Sequence, residues 1–130
     1  RSDYKVARSI FLADTTEEAE KLARNNSLGH NYEYIGRLFD KGLGRKIYKR
    51  DLDMPDADCN LDFLMTEQII AGDVDTVLDR LLQLWEEVGG FGTLVLMSYD
   101  WDDKSSWVRS MELFANELMP AMNAAVGSPG

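Results

Sequence analysis

The sequence predicts an α/β protein whose strands lie in a parallel sheet. Residues 94–97 form an uninterrupted apolar run between turn signals, which favours a strand that is covered on both faces. Amphipathic helical patterns flank that run, and a second segment with strand character lies near the start of the chain, at 6–13. Strands that alternate with helices are typical of α/β folds. Two such strands cannot cover both of their own faces, so we expect either pairing between copies of the chain or a place within a larger α/β protein.

The composition narrows the class of partner. The chain has 130 residues, the length of one domain, and a net charge of −9. The negative charge argues against binding to nucleic acid or to an anionic membrane surface, because both need clustered Lys and Arg. No apolar run in the sequence approaches the roughly 20 residues that span a bilayer. The single cysteine, Cys59, gives no indication of an oxidising compartment, so we expect a cytoplasmic protein.

The first predicted unit, a strand followed by a helix, covers residues 6–39. Thr15 and Glu18 have the spacing of a capping box, so the helix is predicted to start beside Thr15 and to end at residue 25 or 26. The helical pattern is predicted to resume at Asn31, because apolar residues recur at helical spacing beyond it.

Residues 40–65 show no sustained period and are predicted to form an irregular, lid-like insertion. One patch, 46–49, has strand character. The aspartates at 51, 53, 56 and 58 resemble a calcium loop, but Pro55 and Asp56 stand where an EF-hand needs an oxygen ligand and a glycine. We therefore favour a solvated acidic loop and expect no metal.

The last predicted unit, helix–strand–helix, covers residues 66–125, and a frayed tail follows at 126–130. Residues 67–72 are predicted to form a short strand or an extended lead. Asp73 is suited to cap the helix that follows, and the two glycines at 89–90 are suited to end it.

The closing strand is predicted at 91–98, and an amphipathic helix follows it. Pro120 lies late in that helix, where it removes a backbone hydrogen bond and is predicted to kink or end the helix. The predicted apolar stripe of this helix consists of Trp107, Met111, Phe114, Ala115, Leu118 and Met122.

Several segments resemble those of one enzyme family. Residues 69–81, 89–97, 107–115 and 117–120 are similar in order and spacing to the C-terminal end of bacterial-luciferase-like flavin-dependent monooxygenases, and most similar to the limonene-monooxygenase-like branch. The strand and acidic helix start at 11–19 resemble the same family. The Ser-Met-Glu-Leu-Phe sequence and the Met-Pro pair after it are the most specific part of the resemblance.

The resemblance implies a fold and an activity. It implies an α/β fold that is the C-terminal fragment of a (β/α)8 TIM barrel, helix-rich by itself, with the seventh strand at 6–13, the eighth at 93–98 and a lid-like insertion between them. The family uses reduced FMN and O2 to oxygenate a small organic substrate such as an aldehyde, a sulfonate or a terpene. A separate flavin reductase commonly supplies the reduced flavin. Since the family's flavin site comes largely from earlier strands, no catalytic or cofactor-binding residue is assigned, and we expect the chain alone to be inactive.

Five residues are candidates for the substrate pocket or its lid. Ser98 and Tyr99 end the closing strand, and the carboxyl ends of barrel strands form the active face. His30 is the only histidine and could act as an acid or base, although a surface or capping role is the simpler interpretation. Arg37 and Arg45 are assigned to the predicted lid, where a cation could close over the flavin phosphate; a solvated basic loop is the alternative.

Two other functions stay open at this point. The chain could be a non-catalytic α/β assembly module, since unpaired strand edges and helix faces would favour a homo-oligomer. It could also belong to a flavin- or deazaflavin-dependent oxidoreductase of the same superfamily. Residues in the early strands of a barrel would decide between these classes, and the chain does not contain them.

Overall fold

The computed structural model describes residues 3–39, 41 and 44–127, and this part of the chain is a three-stranded parallel sheet with helices around it. The strands are β1 (Lys5–Leu12), β2 (Ile69–Gly72) and β3 (Thr93–Leu96). The helices are α1 (Thr16–Asn25), α2 (Ser27–Phe39), α3 (Arg45–Tyr48), α4 (Leu61–Gln68), α5 (Val74–Val88), α6 (Lys104–Leu113) and α7 (Met119–Val126). A short 3-10 helix lies at Asp56–Asp58 and a π-helical turn at Phe114–Leu118. Of the predicted frayed tail, residues 128–130 lie outside the described residues.

The central strand of the sheet is β1, in the order β2-β1-β3, with every pair parallel. The first half of β1 pairs with β3, from Lys5 opposite Thr93 onward, and the second half pairs with β2, from Ser9 opposite Ile69 onward. The predicted parallel sheet is therefore confirmed. The sequence left residues 67–72 open between a strand and an extended lead. Residues 69–72 form a third strand that pairs with β1, whereas Glu67 and Gln68 are the last residues of α4.

Helices α5, α6 and α7 pack on one face of the sheet, and we call it the closed face. Side chains alternate between faces along a strand, so Val6, Ile10 and Leu12 point to the same side. All three are buried beneath α5 and the helices α6 and α7. The helices contribute Val77, Leu81, Leu84, Leu113, Leu118 and Met122 to this cluster.

The opposite face of the sheet is only half covered. Ser9 and Phe11 in the second half of β1 are buried against α1, α2 and α4, and Phe11 packs edge-to-face on Trp107 with 5.0 Å between ring centroids. In the first half of β1, Ala7 is exposed, and Val95 of the neighbouring β3 is exposed beside it. This face therefore changes from a packed core to an open surface within one strand.

A single residue, Asn26, separates α1 from α2. Its backbone is extended (φ −94°, ψ −169°), and its Oδ1 accepts a hydrogen bond of 2.9 Å from a backbone N–H of α2, so that helix begins at Ser27. The predicted start at Asn31 is wrong by one turn, because a side-chain cap and not the apolar period sets the boundary. A Cβ on Gly29 would lie 2.0 Å from the carbonyl oxygen of Arg24, so the close approach across this break requires glycine.

The stretch 40–65 contains more helix than predicted. The strand character of 46–49 is wrong, because Gly44 enters the segment with a left-handed backbone (φ 76°) and the helical turn α3 follows. Further on, α4 begins after Asn60, whose Oδ1 accepts a hydrogen bond of 3.0 Å from the N–H of Phe63.

The last helix does not end at Pro120. A π-helical turn lies directly before it, in which the N–H of Met119 donates to the carbonyl oxygen of Phe114, and α7 then continues. The wide turn relieves the collision that a proline ring would make with the carbonyl four residues earlier in a regular helix. It also shifts the register, so Ala115 is exposed although it was predicted to face inward. The buried residues here are Trp107, Ser110, Leu113, Leu118 and Met122.

Candidate functional site

The three strands end at one edge of the sheet because they run parallel. In α/β folds, ligands bind outside the carboxyl ends of the strands. The loop at 97–103 lies at this edge, and hydrogen bonds connect it to α2. This edge is therefore the candidate site.

The surface that leads to this edge is apolar. It consists of Ala7, Val95, Met97 and Tyr99, and we call it the open sheet face. Val95, Met97 and Tyr99 are 43%, 41% and 43% exposed. The N–H of Met97 donates to the carbonyl of Arg8 at 2.9 Å, so strand pairing continues past the last residue of β3 and keeps the alternation of faces. Exposed apolar side chains at alternate positions form a contiguous surface suited to an apolar ligand or partner.

Four polar residues connect α2 to the end of this face: Ser9, Asn31, Tyr32 and Tyr99, which we call the tyrosine cluster. The hydroxyl oxygens of Ser9 and Tyr32 lie 3.3 Å apart and share a hydrogen bond. The Nδ2 of Asn31 donates to the phenol oxygen of Tyr99 at 3.0 Å. Burial raises the pKa of the Tyr32 phenol above its ordinary value, so this hydroxyl stays neutral at physiological pH.

The loop after β3 is tied to α2 at a second place. The hydroxyl of Ser27 donates to the carbonyl of Asp100 at 2.6 Å, and the N–H of Ser27 donates to the carboxylate of Asp102 at 3.4 Å. The same Asp102 oxygen accepts from the indole N–H of Trp107 at 3.2 Å. Asp102 therefore holds three elements together, which fixes the position of the loop relative to the tyrosine cluster.

Two other carboxylates near this edge also have structural partners. Asp14 accepts a hydrogen bond of 2.7 Å from the Nη2 of Arg109, and this contact raises the pKa of the Arg109 guanidinium. Asp73 caps α5 by accepting from the N–H of Thr76 at 2.9 Å, and this bond lowers the pKa of the Asp73 carboxyl. One carboxylate is thus engaged in an ion pair and the other in a helix cap.

Of the residues singled out from the sequence, Tyr99 belongs to the tyrosine cluster. Ser98 is exposed next to it, one position out of the alternation that defines the open sheet face. His30 is exposed on α2 beside Asn31, inside the helix and not at a helix break as predicted, because α2 starts before it.

The two predicted lid arginines lie at the end of α2 and in α3. Arg37 is exposed in the last turn of α2. The Nη1 of Arg45 donates to the carbonyl of Asp56 at 3.2 Å, and its guanidinium lies 5.0 Å from the centre of the Phe39 ring. Arg45 thus packs α3 against its neighbours.

Sequence reasoning missed three members of the tyrosine cluster. Tyr32 is one of the apolar residues that recur at helical spacing beyond Asn31, and it does pack in the core, but its hydroxyl requires a buried partner. Ser9 supplies that partner from a strand that is otherwise largely apolar. A serine two positions before the buried Phe11, on the same face, is the signal in the sequence that could have identified it.

An apolar cleft of about 510 Å³ lies between α5, α7 and the start of β3, where its lining includes Trp85, Phe91 and Met122. Its lining also includes Thr93, at the opposite end of β3 from Tyr99. Since it lies away from the carboxyl edge of the sheet, we assign it to helix packing and not to the chemistry.

Within residues 3–39, 41 and 44–127, no three His, Cys, Asp or Glu side chains are grouped so that they could hold a metal ion. None of the helices described there combines the length and the apolar character needed to cross a membrane.

No protein-family model matches the chain. Curated monooxygenases do. The chain is 32% identical over 122 residues to 3,6-diketocamphane 1,6-monooxygenase of Pseudomonas putida, across 92% of the chain and 32% of that enzyme. It is 28% identical over 126 residues to 4-hydroxyprotoasukamycin monooxygenase of Streptomyces nodosus subsp. asukaensis, across 97% and 32%. Limonene 1,2-monooxygenase of Rhodococcus erythropolis is 23% identical over 128 residues, across 98% and 30%. The chain thus spans about a third of the length of these relatives.

A solved structure agrees with these matches. It is the oxygenating constituent of 3,6-diketocamphane monooxygenase of Pseudomonas putida, a type II Baeyer–Villiger monooxygenase in complex with FMN. The TM-score is 0.73 at 32% identity, and the match covers 92% of this chain and 34% of that one. The predicted fold class, part of a (β/α)8 barrel that is helix-rich by itself, is confirmed. The relatives named above are monooxygenases, and the solved one is in complex with FMN, in agreement with the resemblance, but the matches do not single out the limonene branch.

Proposed function

We propose that this chain forms one wall of the substrate site in an FMN-dependent monooxygenase. The observation that carries the proposal is the open sheet face, an apolar surface that ends in the tyrosine cluster at the carboxyl edge of a parallel sheet. The similarity to FMN-dependent relatives supports it. We assign the chain to the C-terminal portion of the enzyme, as the family resemblance implies.

The groups at this edge fit a neutral organic molecule. In the tyrosine cluster, Ser9 and Tyr32 are buried and Tyr99 is exposed, and the uncharged Tyr99 phenol suits a neutral oxygen or nitrogen atom better than a phosphate dianion. Reduced FMN would supply the reducing equivalents that let one atom of O2 enter the substrate. We propose that its phosphate is held by other parts of the protein, while Ala7, Val95 and Met97 seat the apolar body of the substrate.

Residue roles follow from these positions. Tyr99 is proposed to line the pocket. Ser98 and His30 are proposed to lie at its rim, because Ser98 is next to Tyr99 in the sequence and His30 is next to Asn31, which donates a hydrogen bond to Tyr99. A lid role for Arg37 and Arg45 stays a proposal, and the packing of Arg45 on Phe39 makes it the weaker of the two.

The partners of the proposed enzyme are a flavin reductase, O2 and a small organic substrate. Diketocamphane relatives match at higher identity than the limonene enzyme, so a ketone is favoured over limonene as the substrate. We also propose a homo-oligomer, because exposed apolar residues on the open sheet face favour association.

The test uses the complete gene product that carries this chain, with reduced FMN, isotopically labelled O2 and a cyclic ketone. We expect one labelled oxygen atom in the product, detected by mass spectrometry. The isolated chain of 130 residues is the matched control, and it is expected to produce none. A complete protein that reduces or oxidises its substrate without incorporating label would support the oxidoreductase alternative instead.

A second candidate function, assembly without catalysis, is favoured by the same open sheet face. It predicts that the complete gene product binds neither reduced FMN nor ketone, while Val95→Asp disperses its oligomers in sedimentation experiments. Ketone oxygenation by the unmodified complete protein would reject assembly as the sole function.

A further inference from the structure

We infer that Tyr99 donates a hydrogen bond to a neutral acceptor oxygen of a ligand on the open sheet face, and that Asn31 is the positioning residue that orients this donor. The inference deepens the proposed function and rests on it for the location of the ligand.

The strand register carries the first step. Thr93, Val95 and Met97 alternate onto one face, and the hydrogen bond from Met97 to Arg8 shows that pairing persists to the end of the strand. Tyr99 follows two residues later, and its contact with α2 keeps it on this face. Tyr99 is 43% exposed, so part of its surface is available to a ligand.

The direction of one hydrogen bond carries the second step. The Nδ2 of Asn31 has only hydrogens to offer, so in its 3.0 Å contact the phenol oxygen of Tyr99 is the acceptor. The phenol hydrogen is not used in that bond and remains available to an acceptor elsewhere. Asn31 thus leaves Tyr99 as a donor and restricts the rotation of its hydroxyl.

The support of α2 carries the third step. Tyr32, the next residue after Asn31, is buried and shares a 3.3 Å hydrogen bond with Ser9 of β1. One turn earlier, Ser27 donates to the carbonyl of Asp100 at 2.6 Å. These contacts hold α2 in place before and after Asn31, so the phenol of Tyr99 is oriented before a ligand arrives.

The chemical class of the ligand follows from the surface. Ala7, Val95 and Met97 suit an apolar body of a few carbon atoms, and Tyr99 at their end suits one carbonyl or ether oxygen. A neutral hydrogen bond of this kind changes affinity by about 2- to 12-fold.

The test compares two probes of equal size in the complete gene product. Cyclohexanone has a carbonyl oxygen where methylenecyclohexane has a CH2 group, so their affinity ratio, measured by calorimetry, isolates the hydrogen bond. We expect the unmodified protein to prefer cyclohexanone by about 2- to 12-fold. Tyr99→Phe should abolish the preference and leave the affinity for methylenecyclohexane unchanged.

Substitutions of Asn31 separate orientation from simple packing. A carboxylate only accepts hydrogen bonds, so Asn31→Asp should capture the phenol hydrogen of Tyr99 and abolish the preference for cyclohexanone. Asn31→Ala leaves the phenol free to rotate and should retain part of the preference. A merely structural contact would show the reverse order, because Asp preserves the volume and the hydrogen bond that Ala removes.

Several outcomes would overturn the inference. These are equal affinity of the unmodified protein for the two probes, failure to bind either, a Tyr99→Phe variant that keeps the preference, or an Asn31→Asp variant that behaves like the unmodified protein. The unfolding midpoint of each variant is measured. If a substitution of Asn31 destabilises the protein, Asn31→Gln replaces it, because glutamine keeps the amide donor and should keep part of the preference for cyclohexanone. Oxygen incorporation by the unmodified protein is scored separately, so a failed function and a failed hydrogen bond give different results.

Discussion

The two faces of the sheet differ in what covers them. On the closed face, Val6 and Leu12 are 6% and 1% exposed beneath α5, α6 and α7, whereas on the open sheet face Val95 and Met97 are 43% and 41% exposed. Both faces are apolar, so composition alone does not distinguish them. The difference teaches that an apolar residue on a strand is informative about function only once its covering element is known.

The largest effect on the free energy of unfolding is expected when a buried methionine and an exposed one are each replaced by alanine. Met65 of α4 is 6% exposed in the covered core and Met97 is 41% exposed on the open sheet face. Met65→Ala should lower the free energy of unfolding by about 2–5 kcal/mol, since it leaves a cavity. Met97→Ala should change it by about 0.5 kcal/mol or less, because an exposed side chain leaves none. Denaturant unfolding of the complete gene product measures both.

The methionine pair also separates stability from binding. Met97→Ala should weaken the binding of cyclohexanone and methylenecyclohexane alike, whereas Met65→Ala should not, provided that the variant is folded. If both substitutions were equally destabilising, the open sheet face would be covered by another part of the protein, and the contrast between covered and exposed apolar surface would fail.

A smaller effect is expected at the glycines of α2, the helix that reaches the open sheet face. A Cβ at Gly29 would lie 2.0 Å from the carbonyl oxygen of Arg24, whereas at Gly36 its nearest neighbour is the side chain of Leu61 at 3.6 Å. Gly29→Ala should therefore destabilise by about 1–3 kcal/mol through overpacking. Gly36→Ala should stabilise by about 0.5–1 kcal/mol, since alanine favours a helix.

Amide hydrogen exchange in α2, together with thermal unfolding, checks the glycine pair. Gly29→Ala should accelerate exchange at the start of the helix and Gly36→Ala should slow it. An unchanged unfolding midpoint for Gly29→Ala would show that the break at Asn26 is not tightly packed.

The smallest effect is the pH dependence of the stability that Tyr32 contributes on the half-covered face. Burial raises the pKa of Tyr32 above its value in the unfolded chain, so the neutral phenol stabilises the fold at neutral pH. This contribution is complete below about pH 10 and is lost as the pH rises through the raised pKa of the folded state. Tyr32→Phe should cost about 1 kcal/mol at neutral pH, because Ser9 loses its partner. The difference between the two proteins should shrink in denaturant unfolding above pH 10; a constant difference would contradict the burial of the phenol.

The sequence was sufficient where local signals agreed with tertiary packing. Thr15 and Asp73 cap α1 and α5 as predicted, with the N–H groups of Glu18 and Thr76 as their partners. Gly89 ends α5 in a left-handed conformation, as expected of a glycine after a regular apolar stripe. In these elements the period, the cap and the buried face all indicate one structure.

The sequence was insufficient where distant residues decide. Asn31 and Tyr99 lie 68 positions apart and meet only because α2 is fixed at the carboxyl edge of the sheet. The strand character of 46–49 was overridden by Gly44 and by the stacking of Arg45 on Phe39. Neither the tyrosine cluster nor α3 has a local pattern that predicts it.

The π-helical turn before Pro120 has a consequence for the history of the chain. Leu113 and Leu118 are five positions apart and yet both are buried in the closed-face core, so the turn accommodates one residue more than a regular helix would. Deleting one residue of this turn would restore the spacing of a regular α-helix, but the ring of Pro120 would then collide with the carbonyl four residues earlier. The inserted residue and the proline are therefore tolerated as a pair, and we expect variants of this helix to keep both or to have neither.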